Sequence, residues 1–540
     1  MRLLVLAAWL TLVASIATAQ VDTAWVRRFN GACDSTDLPA ALTLGVAGGV
    51  FVTGYSFDDD TVEDFATLRY ETDGSVGWFR RYDGQGDTSS RAVAVAVDEA
   101  GLCYVTGKTW LTGSKYDWMT VQHDTDGTVQ WATYHTGTLA ENDEARAVAA
   151  YAGGGCVVTG AAFGPTNNWD YTTIRYGADA ETLWTAHYNG DANGADEAEA
   201  LGIDTAGNIY VAGSSRNAAT NVDIVTVKYG SSGETLWARR WTGDGGNAED
   251  KATCLVVDAS QNVYVGGYTE GYGTGRDYIV IKYSGHGDTL WTRRYNGTAD
   301  DNDEVVGIGT DDRGRVYVCG YSTGTGTFAD YLTICYSPLG ESLWAHRWDY
   351  SGYGNWATAL AVDGDGNSYI TGYGFDPATQ YDFHTISLGP DGTPRWQIRY
   401  SGYADDWDQP VSIGLDADRN VHVTGFSMSN AQDFDYVTIK YVQDAAVEET
   451  MNDDHGPLNA GPTIVRGVLF LPSSRLSPSS SLLSIDGRKV MYLNPGPNDV
   501  SPLAPGVYFC RPTAGSASSV LASGMTRGAS SVVTKVVISR

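Results

Sequence analysis

Basic residues are scarce in this chain of 540 residues: 35 Lys and Arg stand against 65 Asp and Glu, a formal charge of −30. Binding to nucleic acid rests on phosphate neutralisation by Lys and Arg, so this balance argues against such a partner. Cysteine is also sparse. Seven residues (Cys33, Cys103, Cys156, Cys254, Cys319, Cys335 and Cys510) are too few and too scattered for a disulfide scaffold. They form no CxxC or Cys/His zinc spacing, and most read as buried thiols in place of Val or Ala. The eight histidines show no metal or triad spacing, and HExxH and phosphate-loop motifs are missing. No stretch of strand-like length shows a helical period.

Long apolar runs are missing too, except at the start. Arg2, the run from Leu3 to Ile16, and Ala17-Thr18-Ala19 before Gln20 predict a signal peptide over residues 1–19. No other segment is apolar for long enough to span a bilayer. The expected mature chain is soluble and lies outside the cytoplasm, secreted or at the cell surface.

What is abundant is Gly, at 65 residues, and a repeat. Trp recurs at Trp25, Trp78, Trp131, Trp184, Trp237, Trp291, Trp344 and Trp396, with gaps of 52 to 54 residues. Gly recurs at Gly54, Gly107, Gly160, Gly213, Gly267, Gly320, Gly372 and Gly425, and ten residues after each stands an Asp, from Asp64 to Asp435. Each copy carries four strand signals rich in β-branched and aromatic residues, punctuated by Gly, Asp and Asn. Four strands per repeat with apolar residues on both faces predict a propeller blade sandwiched between two others. The alternative is an open β-solenoid with capping repeats. The termini favour closure: the chain begins with an orphan fourth strand at Trp25–Phe29 and ends its repeats with an orphan third strand at Tyr436–Tyr441. The expected fold is therefore all-β, an eight-bladed propeller over residues 20–443 closed by the N-terminal strand.

The pattern Arg294-Tyr295-Asn296-Gly297, then Asp303, then Tyr317-Val318-Cys319-Gly320-Tyr321-Ser322 resembles the bacterial SBBP (beta-propeller repeat) proteins over roughly residues 25 to 441. That resemblance implies the fold and an exported setting, not an activity. The family's name suggests seven blades, and the eight copies here depart from it. Residues 444–462 read as a polar linker. Residues 463–540 resemble a type IX secretion system C-terminal sorting domain in Asp486-Gly487-Arg488-Lys489-Val490, Leu503-Ala504-Pro505-Gly506-Val507-Tyr508-Phe509 and the terminal Lys535-Val536-Val537-Ile538. This implies a small β-sandwich-like domain that engages secretion machinery; an ordinary small β-sandwich is the alternative.

The strongest candidate for chemistry is a column seventeen residues before the Gly: Asp37, Ser90, Asp143, Asp196, Asp250, Asp303, Asn355 and Asp408. Its six carboxylates suit either a cation-attracting ring, with Ca²⁺ as the possible ion, or caps on their own turns. The Asp64 to Asp435 column reads as structural, and Asp363-Gly364-Asp365-Gly366-Asn367 as a turn rather than a calcium loop. No other cofactor is indicated. The ten-residue loops carry Trp110, Trp169, Tyr272 and Phe328, with Phe57, Phe163, Phe375 and Met428. They present a surface for protein or glycan, or pack against neighbouring loops. These features predict an exported binding scaffold. The alternatives are an extracellular polysaccharide hydrolase or lyase, and a structural surface-layer protein.

Overall fold

The computed structural model describes residues 21–443, apart from 32–34, 58–61, 85–87, 112–114, 139–140, 165–167, 218–220, 244–248, 272, 327, 351, 403–405 and 430–432, and seven strands within 463–538. The signal-peptide and linker segments of the sequence reading lie outside these residues. The chain divides into two compact units that part between Ala446 and Val447. Among the described residues every regular element is a strand, and no helix is long and apolar enough to cross a membrane.

In the first unit the strands form eight four-stranded antiparallel sheets. Blade 4 is typical: Asp196–Ile203, Ile209–Arg216, Val222–Tyr229 and Thr235–Trp241 pair in sequence order. The first strands of blades 1 to 8 are Leu38–Leu44, Ser90–Val97, Glu144–Ala150, Asp196–Ile203, Asp250–Val257, Asp303–Thr310, Asn355–Val362 and Asp408–Leu415. Each touches the first strand of both neighbouring blades, and the ring closes between Asp408–Leu415 and Leu38–Leu44. The fold is an eight-bladed β-propeller. In blade 8 the fourth strand is Val21–Phe29, antiparallel to Phe434–Gln443 with Val26 opposite Ile439. The N-terminal strand thus closes the ring, and the solenoid alternative is excluded.

The repeated columns have physical causes. Every blade has a register shift between its first and second strands, as at Ala198/Ala200. There the first strand bulges toward the Gly of the second, and a Cβ on Gly213 would run into the carbonyl of Glu197. The same clash, with the equivalent first-strand carbonyl, awaits a Cβ at the seven other glycines of the column. The Trp rings lie between blades. Trp25, Trp78, Trp237, Trp291 and Trp396 are buried, and the other three are half-buried. Buried Tyr hydroxyls add cross-blade bonds, Tyr171 to the Val225 carbonyl at 3.2 Å and Tyr278 to that of Leu332 at 3.1 Å. Cys103, Cys156, Cys319 and Cys335 are buried free thiols, as the sequence predicted.

In the second unit Ser480–Ser484 pairs with both Lys489–Leu493 and Gly506–Pro512. Gly506–Pro512 also pairs with Thr534–Ile538, which runs parallel to Thr463–Val465. Val468–Leu471 and Gly496–Asp499 form a separate pair.

Candidate functional site

Both carboxylate columns stand at one end of the blades, where the hairpins between second and third strands emerge beside the connections to the next blade. In blade 5, Asp250 lies opposite Thr269, and Thr269 opposite Asp277. Asp250 accepts from the Thr269 hydroxyl at 2.6 Å and from the Gly243 N–H at 2.7 Å. The other acids repeat this. Asp143 accepts from the N–H groups of Gly137 at 2.5 Å and Phe163 at 2.6 Å, and Asp196 from Gly190 at 2.7 Å. Asp303 accepts from Gly297 at 2.5 Å and Thr323 at 3.2 Å, Asp408 from Gly402 at 2.5 Å, and Asp37 from Gly31. All six are buried, so each ties the incoming connection to its own blade. Ser90 substitutes in blade 2 by bonding Thr109 at 2.7 Å.

Six acids of the Asp64 to Asp435 column meet an arginine that sequence reasoning misses, in five of them seventeen residues further along the chain. Arg240 reaches Asp223 at 2.8 Å, Arg347 reaches Asp330 at 3.1 Å, and Arg81 reaches Asp64 at 3.7 Å. Arg294 and Arg399 pair with Asp277 and Asp382, and Arg28 of the closing strand reaches Asp435 at 3.9 Å. Acids of the two columns also act on one another across five junctions, from Asp117 with Asp143 to Asp382 with Asp408. Burial is the main force pushing Asp143 and Asp408 up to about 6, opposed by their hydrogen bonds and reinforced by Asp117 and Asp382. Among the described residues no three His, Cys, Asp or Glu side chains are grouped to hold a metal ion. In the Asp363 turn, the carboxylate accepts from the Asn367 N–H and side-chain amide, both at 2.8 Å.

On either side of these rungs each blade presents a further row of side chains. In blades 1 to 3, 5 and 6 these rows carry ion pairs across the junctions, Arg91 with Glu63 at 2.5 Å, Lys108 with Glu144 at 2.9 Å and Arg276 with Glu304 at 2.6 Å, with Arg91 lying over the Tyr55 ring and Arg276 over that of Tyr268. In blades 7 and 8 they carry aromatic rings in contact with one another. Trp356 stacks on Tyr373 at 5.4 Å, Tyr373 meets Tyr381 at 5.6 Å, and Phe426 meets Phe434 at 5.0 Å. Loop aromatics join these into one ridge across blades 6 to 8. The steps are Phe328 to Tyr353 at 6.4 Å, Tyr353 to Phe375 at 5.4 Å, Phe375 to Tyr381 at 5.2 Å, Tyr381 to Trp407 at 5.5 Å, and Trp407 to Phe434 at 6.3 Å. Phe328, Tyr353 and Trp407 are 59%, 40% and 42% exposed.

The aromatic loops and the acidic connections do share a face. Trp110 N–H bonds the Ser89 carbonyl at 2.9 Å, and the Trp169 indole bonds that of Asn142 at 2.7 Å. The predicted aromatics nevertheless differ in role. Phe328 opens the ridge. Trp110 is 41% exposed and packs edge-on to Tyr116, whereas Trp169 is half-buried and holds its neighbouring connection. Tyr272 lies outside the described residues. Tyr353, Trp356, Tyr381 and Trp407 were legible only as a break in the repeat. The Trp344-to-Gly372 interval is 28 residues against 29 in most copies, and Gly354-Asn355-Trp356 replaces the usual Asp and its neighbours. Gly354 makes room for the ring, since a Cβ there would strike Trp356.

A family model described as a beta-propeller repeat, SBBP, matches residues 290–326. The chain carries an SBBP-type beta-propeller repeat. The matched SBBP stretch runs from the outer strand Thr289–Tyr295 of blade 5 through the first two strands of blade 6. No curated protein matches the chain in sequence. Among solved structures, a protein of unknown function from Dyadobacter fermentans is similar at 10% identity, covering 78% of this chain and 98% of that one, with a TM-score of 0.37. The WD40 domain of SCAP from fission yeast is similar at 9% identity, with the same coverage and a TM-score of 0.43. A protein of unknown function from Bacteroides caccae is 12% identical over 53% of this chain and 92% of that one, with a TM-score of 0.31.

Proposed function

We propose that the chain is an exported or surface-displayed scaffold that binds an extracellular protein or glycan through the hairpin face of its propeller. The observation that carries this is the aromatic ridge from Phe328 to Phe434. Exposed rings in one contiguous patch are costly in water and mark contact surfaces. The ridge runs on through three blades, whereas the aromatic pairs Trp110 with Tyr116 and Phe163 with Trp169 each stay within one blade, so the face is asymmetric despite an eightfold frame. Export, and engagement of secretion machinery by residues 463–540, rest on the sequence features of the two termini.

The test compares wild type with the triple variant Phe328→Ser, Tyr353→Ser, Trp407→Ser on arrays of extracellular glycans and proteins. The control is Leu339→Ser, on the opposite face and 76% exposed. Retention by wild type and the control, lost in the triple variant, is expected. Equal retention by all three, or none by wild type, overturns the reading.

A further inference from the structure

Resting on that reading, we propose that the ridge takes the sugar rings of a neutral polysaccharide, with the Gln380 side-chain amide reading ring hydroxyls beside Tyr381. Three observations carry this.

The first is charge. Residues 348–394, 400–418 and 420–439, which supply the ridge from Tyr353 to Phe434, contain no Lys or Arg. The nearby Arg399 is neutralised by Asp382 and lies 3.8 Å from Asp376. A sulfated or uronate-bearing chain would find no free cation here and would meet a protein of net charge −30. Neutral sugars carry no such penalty, and their C–H faces suit the electron-rich faces of Tyr and Trp.

The second is shape. A cationic ligand wants rings converging around one point. Here the rings follow one another from blade 6 to blade 8 in steps of 5.2 to 6.4 Å, with Trp356 and Tyr373 also packed on Tyr381. A succession of rings that passes through three blades suits an extended chain whose units are themselves rings.

The third is backbone strain at one polar side chain beside the ridge, a positive φ shared elsewhere by Asn193, Gln261, Asp300 and Arg419. Gln380 is exposed and holds φ +61°, at the end of the hairpin where it pairs with Asp376. The matching hairpin of blade 5 pairs Gly271 with Gly275, and Gly275 takes φ +67° without a side chain. Glycine is the unstrained choice at such an angle. A long amide kept there, next to Tyr381 and in solvent, is the kind of outlier that function explains. The amide supplies a donor and an acceptor side by side, which matches adjacent hydroxyls on a sugar ring.

The experiment measures binding of the full chain to neutral polysaccharides (mannan, xylan, β-glucan, galactan) and to acidic ones (alginate, heparin, chondroitin sulfate), with melting temperature followed in parallel. We expect retention by at least one neutral polymer and none by the acidic set. Trp407→Ala and Tyr353→Ala should each weaken binding by about tenfold or more with the melting temperature held. Gln380→Gly should weaken binding while raising the melting temperature by on the order of 1 °C, as relief of strain requires. A role confined to folding would move both readouts together or leave binding untouched. Retention by acidic polymers alone overturns the inference, as does binding indifferent to Trp407 and Gln380. Retention by protein ligands alone, lost in the triple variant, also overturns it but leaves the broader binding function standing.

Discussion

The indole N–H of Trp396 donates to the side-chain oxygen of Gln443 at 3.0 Å. In the seven other copies the same nitrogen reaches a backbone carbonyl in the next blade's turn between third and fourth strands, as Trp237 reaches Gly285 at 3.1 Å and Trp78 reaches Thr125 at 3.1 Å. Blade 8 has no such turn, because its fourth strand comes from the other end of the chain. Gln443 stands in for the missing carbonyl, and its own amide donates to the Arg419 carbonyl at 2.5 Å.

Gln443→Ala should therefore destabilise the propeller by about 1–2 kcal/mol, the cost of losing a part-buried bond and leaving the indole without its acceptor. Chemical denaturation of the purified chain measures this. An unchanged midpoint would show that water satisfies the indole.

Deleting Gln20–Asn30 removes the outer strand of blade 8, including Trp25 and the Arg28 contacts to Asp435 at 3.9 Å and Ser427 at 2.6 Å. A sharp fall in thermal stability is expected, with the edge of Phe434–Gln443 laid open. Adding a peptide of residues 20–30 in trans should recover part of the loss by strand addition.

The turns under the tryptophans make opposite predictions at two positions. Ala180 holds φ +64° where most other copies place Gly, so Ala180→Gly should stabilise by about 1 kcal/mol. Gly287 holds φ +84°, and a Cβ there would lie 2.8 Å from the Trp237 ring. Gly287→Ala should destabilise by more than that gain, since strain and collision add. Paired melts of the two variants check both signs.

Asp143 sets a pH dependence. Burial lifts its carboxyl to about 6 in the fold, above the value of an unfolded chain, so the native state holds this proton more tightly. Its contribution is fullest at low pH and is lost as pH rises through about 4 to about 6. Buried His123 and half-buried His135, lowered to about 4, act with the opposite sign over an overlapping window, losing stability as pH falls. A raw pH profile would mix these. The difference between wild type and Asp143→Asn isolates the carboxyl: wild type should lose on the order of 1–3 kcal/mol relative to the variant between pH 4 and pH 8. Asn355 holds the same place in blade 7, so the variant is compatible with the fold.

Strand count, blade number and closure were all legible in the sequence, because each blade buries both faces and meets the same packing demands eight times. Gly213 recurs because a bulge leaves no room for a Cβ, and Asp196 recurs because each incoming connection needs an acceptor. Local constraints of that kind write themselves at fixed spacing. The arginine at seventeen residues from Asp223 obeys the same logic but is replaced by Tyr134 and His187 in two blades, which hides the column. The ridge follows the repeat only in part. Tyr381 and Phe434 share the place before the recurring Asp with Tyr116 and Trp169, whereas Phe328, Tyr353 and Trp407 stand at other places, and pattern alone ranks none of them higher than Trp110 or Trp169. The aromatic loops that pattern singled out were thus separated by tertiary structure into one ridge and several packing groups. The physical reason is that a blade's own contacts are set within about fifty residues of chain, as the repeat interval of 52 to 54 shows, whereas a surface patch depends on which rings closure brings side by side.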